Sequence, residues 1–258
     1  KVIGTGIRLG QLTLEAQQAI EAADIVFATV VGEAARVMLR DYNPNLFDQT
    51  VCYSLGKDRI TTYHEMVDNV MGALREGKNV CFALYGHPLI FAYPTKVVLA
   101  QAREEGFVAE LLPGISAEDM LYAELEIDPA LYGCQTYCAT EFVTEERVWD
   151  PRSVLLLWQV NIIGESEYQL HGKPEMRKRL AERLVAVYGE KHPVVMYEAS
   201  THPLAGPAIW GTTMDQFGEV PLRGCITVAI PPINVPDLIQ VPMASSPVEW
   251  VPFEMAST

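Results

Sequence analysis

The stretch "NVCFALYG", Asn79 to Gly86, constrains this chain more than any other. Its apolar run leaves no polar face, so a strand built from it must be covered on both sides. Just before it, Tyr63, Met66, Val67, Val70, Met71 and Leu74 recur at helical spacing until Gly77 stops the pattern. A strand buried on both faces beside an amphipathic helix points to a sheet clad with helices.

The neighbouring segments alternate in the same way. "KVIGTG" is a short strand entering a glycine turn, Thr13 is placed to cap a helix over "TLEAQQAIEAA", and "DIVFATV" reads as a buried strand. "EAARVMLRD" is helical and "TVCYSL" extended; "TKVVLAQAREEG" is helical and "FVAEL" extended; "PGISAED" turns into another helix. This alternation predicts a mostly parallel sheet. From about Ile127 the strands lengthen, in "SVLLLWQV", "PVVMYEA", "PAIWGTT" and "GCITVAI", with one clear helix in "PEMRKRLAERLVAVYG". The expected fold class is α/β, with two α/β units: a mostly parallel sheet over 1–125 and a mixed sheet over 126–232. Residues 233–258 carry several prolines and no periodicity, so they read as an extended tail.

Charge narrows the function. Nineteen Lys and Arg stand against 33 Asp and Glu, a formal net charge of −14, which repels phosphate backbones and argues against nucleic acid as a partner. No apolar run approaches the roughly 18 residues that span a membrane, and "KVIGTG" leads straight into a strand without a secretory signal, so a cytoplasmic protein is expected. The five cysteines are scattered, and Cys134 and Cys138 in "CQTYC" lack a ligand spacing, so buried free thiols are expected. The five histidines show no metal spacing either, and no metal is expected.

Three glycine turns follow strands: "GTGIRLG", "YGHPLIF" and "LPGISAE". In an open α/β sheet, ligands bind outside the carboxyl ends of the strands, and glycine lets a ligand approach the backbone closely. Together with "LTLEAQQAIEAADIVF", "LLLWQV", "HPVVMYEA" and "ITVAIPP", in this order, these turns resemble the tetrapyrrole methylase superfamily of S-adenosylmethionine-dependent methyltransferases. Where that superfamily usually has Gly-Asp-Pro, this chain has Gly86-His87-Pro88 preceded by Tyr85, which resembles the borosin-type peptide backbone α-N-methyltransferases. The resemblance runs to about Pro232.

The resemblance implies S-adenosylmethionine as cofactor and S-adenosylhomocysteine as product. It implies cofactor contacts from Tyr85, His87, Ile90, Phe91, Ser116, Ala117, Gln159, Tyr197, Gly224 and Cys225. It also implies a catalytic set of Tyr53, Arg59 and Tyr63 in "YSLGKDRITTY". Arg59 and Tyr63, four apart at a helix start, share one face. Amide methylation has use for these types. A peptide nitrogen is a poor nucleophile until its proton leaves and charge on the carbonyl oxygen is stabilised. A guanidinium can hold that oxygen and favour the phenolate of a nearby tyrosine, which can act as base. Either Tyr53 or Tyr63 can fill that role.

The implied function is iterative N-methylation of backbone amides in a ribosomally made precursor peptide, by a homodimer. Fused members continue into a helical clasp and a core peptide. The residues after Pro232 are too few for both, so action in trans on a separate peptide is expected. Pro247 and Pro252 in the tail have no N–H to methylate, so an ordered arm on the dimer is expected there. Two other readings stand beside this one. Methylation of a tetrapyrrole would favour a basic trough for a polycarboxylate, against the chain's charge, and a non-catalytic relative would bind cofactor or peptide only. Residue by residue, Tyr53, Tyr63 and Tyr197 also fit core positions and Arg59 a solvated first turn. His87 also fits a loop histidine, and Ser116 an N-cap with Asp119 three residues on.

Overall fold

The computed structural model describes residues 1–202, 204–220, 222, 224–241 and 243. The chain divides into two compact units, Lys1–Met120 with Ser200–Gly206, and Leu121–Ala199 with the described residues from Pro207 on.

The first unit runs β1 (Val2–Gly4), α1 (Leu14–Glu21), β2 (Ile25–Thr29), α2 (Glu33–Tyr42), β3 (Leu46–Asp48), α3 (Arg59–Arg75), β4 (Val80–Leu84), α4 (Tyr93–Glu104), β5 (Leu111–Leu112) and the start of α5 (Ala117–Glu124). Its sheet has the order β3-β2-β4-β1-β5 with every pairing parallel. The apolar run of β4 is explained by its two faces. Val80, Phe82 and Leu84 pack with Val67, Val70 and Met71 of α3 and with Val98, Leu99 and Ala102 of α4. Cys81 and Ala83 face Ala16 and Ile20 of α1 and Leu39 of α2. All five β4 side chains are buried, which explains why the run has no polar alternate.

Two local expectations differ. "TVCYSL" is not a strand: β3 ends at Asp48, whose side chain accepts from the Thr50 N–H at 2.9 Å and starts a 3₁₀ turn over Gln49–Cys52. A short carboxylate competing for backbone donors ends the ladder early. Of "FVAEL" only Leu111 pairs with β1, together with Leu112 just beyond it, and Val108 is exposed.

The second unit runs β6 (Cys134–Cys138), α6 (Ala139–Thr144), β7 (Val154–Trp158), α7 (Pro174–Tyr188), β8 (Pro193–Glu198), β9 (Ala208–Thr213), α8 (Met214–Phe217) and β10 (Thr227–Ile230). The order β6-β7-β10-β8-β9 is mixed: β6 and β7 pair parallel, the rest antiparallel. Its core gathers Phe142, Leu155, Leu157, Leu184, Met196 and Phe217. Beyond β10 the tail makes a 3₁₀ turn at Pro236–Leu238, and Met243 bridges Gly211; residues 244–258, with Pro247 and Pro252, lie outside the described residues.

His192 gives the second unit a pH signature. Its ring packs against Tyr188 at 4.8 Å, tilted by 34°, and its Nε2 lies 2.9 Å from the Pro231 carbonyl. Burial pushes the imidazole below its ordinary value, and the carbonyl opposes this in part. The unfolded histidine protonates near pH 6.5 while the folded one resists. The stability from a neutral His192 is therefore complete above that pH and is lost as pH falls through it. The unfolding free energy should drop between pH 7.5 and 5.5 by up to about 1.4 kcal/mol per pH unit, and less steeply in His192→Gln. Equal slopes in urea titrations of the two proteins would count against this assignment.

Candidate active site

β4, β1 and β5 are adjacent and parallel, so their carboxyl ends, Leu84, Gly4 and Leu112, open onto one edge of the first unit's sheet. The three glycine turns leave from there and touch. A Cβ on Gly4 would lie 2.4 Å from the Gly86 oxygen, and one on Gly114 would lie 2.5 Å from that oxygen and 2.7 Å from the Gly4 carbonyl carbon. Gly6 and Gly86 exchange backbone bonds of 3.3 and 2.9 Å at φ of +76° and +69°. Only glycine allows this approach at positions 4 and 114, and only glycine takes those φ values without cost at 6 and 86.

Beyond Gly86, His87 braces its own loop. Its Nδ1 accepts from the Leu89 N–H and its carbonyl from the Ile90 N–H, both at 3.2 Å. Phe91 follows at φ +51°, left-handed for a bulky residue, a conformation that persists only where neighbours enforce it. Leu89, Ile90 and Phe91 are all exposed, an apolar rim on the loop that Tyr85, half-buried, begins. At the third turn Ser116 and Asp119 cap α5 reciprocally: the Ser116 N–H and hydroxyl donate to Asp119 Oδ2 at 2.7 and 2.6 Å, and the Asp119 N–H donates to Ser116 Oγ at 3.0 Å. Ser116 is thus the N-cap that its sequence spacing allowed, and Ala117 opens the helix.

The tyrosines meet beside the same sheet. Asp58 caps α3 by accepting from the Thr61 N–H at 2.8 Å; Arg59 takes the first helical position, half-buried, and Tyr63 lies one turn on. The rings of Tyr53 and Tyr63 stand edge to face, centroids 6.5 Å apart. Tyr53 is held there by a buried amide that sequence reasoning missed. Gln49 Nε2 donates to the Met66 carbonyl of α3 at 3.0 Å, and its Oε1 accepts from Asn69 at 2.9 Å and from the Cys52 thiol. The 3₁₀ turn that delivers Tyr53 is therefore clipped to the helix that carries Tyr63. Tyr93, also missed, adds a third ring 5.9 Å from Tyr63 and meets His64 at 6.2 Å. The "YP" start of α4 was the only sequence signal for it.

In the second unit the four expected residues share one end of the sheet. Gln159 follows β7 at φ +60°, and the next N–H, of Val160, donates to Ile226 just before β10. Tyr197 pairs with Thr227 across β8 and β10. It is 1% exposed, and its hydroxyl donates to Glu124 at 2.6 Å. Gly224, at φ +73°, and Cys225 wrap the Glu198 carboxylate: the Cys225 N–H donates to Oε1 at 3.0 Å, and a Cβ on Gly224 would lie 2.5 Å from that oxygen. Burial pushes the Glu198 carboxyl up, and the Cys225 bond opposes this. Glu198 had no distinguishing sequence signal. Cys225 is exposed, and Cys134 and Cys138 are half-buried, so only Cys52 and Cys81 are the buried thiols expected. Burial pushes the Cys81 thiol up to about 12, which keeps it inert. Among the described residues no group of three or more His, Cys, Asp and Glu is placed to hold a metal, and no helix is long and apolar enough to cross a membrane.

Residues 2–215 match the family described as Tetrapyrrole (Corrin/Porphyrin) Methylases. The chain is 39% identical over 237 residues to the methyltransferase and ribosomally synthesized dendrothelin A precursor of Dendrothele bispora, covering 90% of this chain and 57% of that one. It is 38% identical over 237 residues to the corresponding omphalotin A precursor of Omphalotus olearius, again at 90% and 57% coverage. The chain therefore spans a little over half the length of these relatives. Among solved structures, a cobalt precorrin-4 methyltransferase superposes with a TM-score of 0.62 at 17% identity, covering 89% of this chain and 93% of that one. The uroporphyrin-III C-methyltransferase of Thermus thermophilus gives 0.60 at 18% identity, covering 93% and 96%. These structures share the fold.

Proposed function

Since the chain belongs to the tetrapyrrole methylase family, and is thus a methyltransferase, we propose that it transfers methyl groups from S-adenosylmethionine to backbone amide nitrogens of a ribosomally made peptide. The carrying observation is the Tyr53–Tyr63 pair set beside the sheet whose glycine turns converge at Gly4, Gly86 and Gly114. The names of the relatives, each a methyltransferase and peptide precursor, support a peptide substrate.

The residues fit such a cofactor. The three turns hold their backbones in close contact at the carboxyl edge of the sheet, where ligands of open α/β sheets bind, and aromatic faces suit a sulfonium as they suit other soft cations. The bound cofactor supplies an electrophilic methyl and a thioether leaving group. Tyr85, His87, Ile90 and Phe91, with Ser116 and Ala117, are assigned to hold it at the glycine turns of the first unit, while Gln159, Tyr197, Gly224 and Cys225 are cofactor contacts by the family resemblance alone. Because the hydroxyls of Ser116 and Tyr197 already have protein partners, they act through their backbone and their ring, respectively. Arg59 holds the substrate carbonyl oxygen as negative charge builds on it, and one oxygen of the Tyr53–Tyr63 pair, as phenolate, takes the amide proton and becomes the phenol. The freed nitrogen then needs only to be placed in line with the methyl.

The test is co-expression with the portion of the Dendrothele bispora precursor that lies outside the matched region, followed by mass spectrometry. Increments of about 14 Da on backbone amides of the peptide are expected. A peptide left unmodified by a chain that binds S-adenosylmethionine would overturn the reading.

A further inference from the structure

Helices α3 and α4 both return from the sheet on the same face, packing together through Val67, Val70 and Met71 against Val98, Leu99 and Ala102. In a parallel sheet their amino ends lie at the carboxyl edge, beside the glycine turns. Tyr63 sits one turn into α3, and Tyr93 is the first residue of α4. Tyr53 stands edge to face against Tyr63 at 6.5 Å and 87°, while Tyr93 covers it at 5.9 Å and 32°. Tyr63 thus has an aromatic neighbour from the 3₁₀ turn before α3 and another from the loop after β4.

Beyond its ring contacts with Tyr63 and His64, position 93 has no evident structural need for a tyrosine. The side chain is 41% exposed, and α4 starts without any side-chain cap at Ala92, with Pro94 supplying a fixed φ. The ring lies two residues beyond Phe91, whose φ of +51° fixes the path of the loop into α4. Tyr93 thus joins the end of that loop to Tyr63 by direct ring contact.

We propose that Tyr93 is a positioning residue for methyl transfer, whose ring holds Tyr63 against Tyr53 and ties that pair to the glycine loop after β4. The role rests on the amide-methylation reading above. The ring does the holding, so phenylalanine suffices. Without the ring, Tyr63 gains rotamer freedom and the Tyr53–Tyr63 pair spends less time in the geometry that meets the amide.

Tyr93→Phe and Tyr93→Ala are compared with the unaltered chain in the co-expression assay, then in rate measurements with the purified peptide. Tyr93→Ala is expected to lower kcat about tenfold, with peptide KM and S-adenosylmethionine affinity within about twofold, and Tyr93→Phe to retain the rate. A wild-type kcat in Tyr93→Ala, equal impairment in Tyr93→Phe, or a loss confined to cofactor affinity would each overturn the proposal. A second measurement needs no turnover. In spectra of the chain labelled with ring-¹³C tyrosine, the Tyr63 signals, assigned by their loss in Tyr63→Phe, should shift in Tyr93→Ala and stay near their place in Tyr93→Phe. Unmoved Tyr63 signals in Tyr93→Ala refute the stack even if the peptide is not a substrate. A shift in an inactive chain would uphold the stack and retire the methylation reading alone. Unchanged thermal melts confirm that the variants fold.

Discussion

Removing one phenol oxygen from the Tyr53–Tyr63 pair is expected to lower methyl transfer by about 10²-fold or more. Tyr53→Phe and Tyr63→Phe each keep the edge-to-face contact at 6.5 Å, and Tyr63→Phe also keeps the stack with Tyr93. Both rings are half-buried at the surface edge of α3, away from the fully buried Met66 and Met71 below them. Stability should therefore move by less than about 1 kcal/mol, the scale of a single net hydrogen bond. The variant that loses the base should show the fall in kcat, with S-adenosylmethionine affinity intact. The other should show a smaller effect, mainly in KM. If both retain more than half the wild-type rate, neither phenol is the base and the chemistry assigned to this pair is wrong.

Gly114→Ala should cost about 3 kcal/mol of stability, at the upper end for overpacking. The new Cβ would lie 2.5 Å from the Gly86 oxygen and 2.7 and 2.8 Å from the Gly4 carbonyl carbon and Cα, with backbone at every one of these contacts. A flexible side chain could move aside, but these strand ends cannot without disturbing β1 and β4, whose residues are almost all fully buried. Gly77→Ala is the control. At φ +81° that glycine ends α3 with nothing within 4 Å of its missing Cβ, so only the left-handed penalty of about 1–2 kcal/mol applies. Urea titrations of the two variants give the comparison. A loss at Gly114 no larger than that at Gly77 would mean that the three turns yield more easily than their packing implies. If Gly114→Ala folds, its cofactor affinity should still be weakened, because the three turns can no longer keep their spacing.

The two sheets were legible because burial writes itself into composition. A strand covered on both faces, such as β4, must be apolar throughout, and helices facing it must repeat at 3.6 residues, as Tyr63 to Leu74 do. Caps were legible for the same local reason: Thr13 accepts from the Ala16 N–H at 3.2 Å, and Ser116 and Asp119 bond across three residues. The expected strand at "TVCYSL" failed because a single carboxylate, Asp48, outcompeted extended propensity. That contest depends on where β3 ends.

The sequence by itself determined the α/β class, the parallel first sheet and mixed second one, the three glycine turns, and the shared face of Arg59 and Tyr63. Each follows from periodicity or from a bond spanning three or four residues. Only the tertiary structure decided that the turns at Gly4, Gly86 and Gly114 touch, that Gln49 clips Tyr53 to α3 from 17 residues before Met66, and that Glu198 fills the bend at Gly224 and Cys225. It also decided that Tyr93 closes over Tyr63. These contacts join residues far apart in the chain through the order of the strands, β3-β2-β4-β1-β5, and no local pattern records which strand lies next to which.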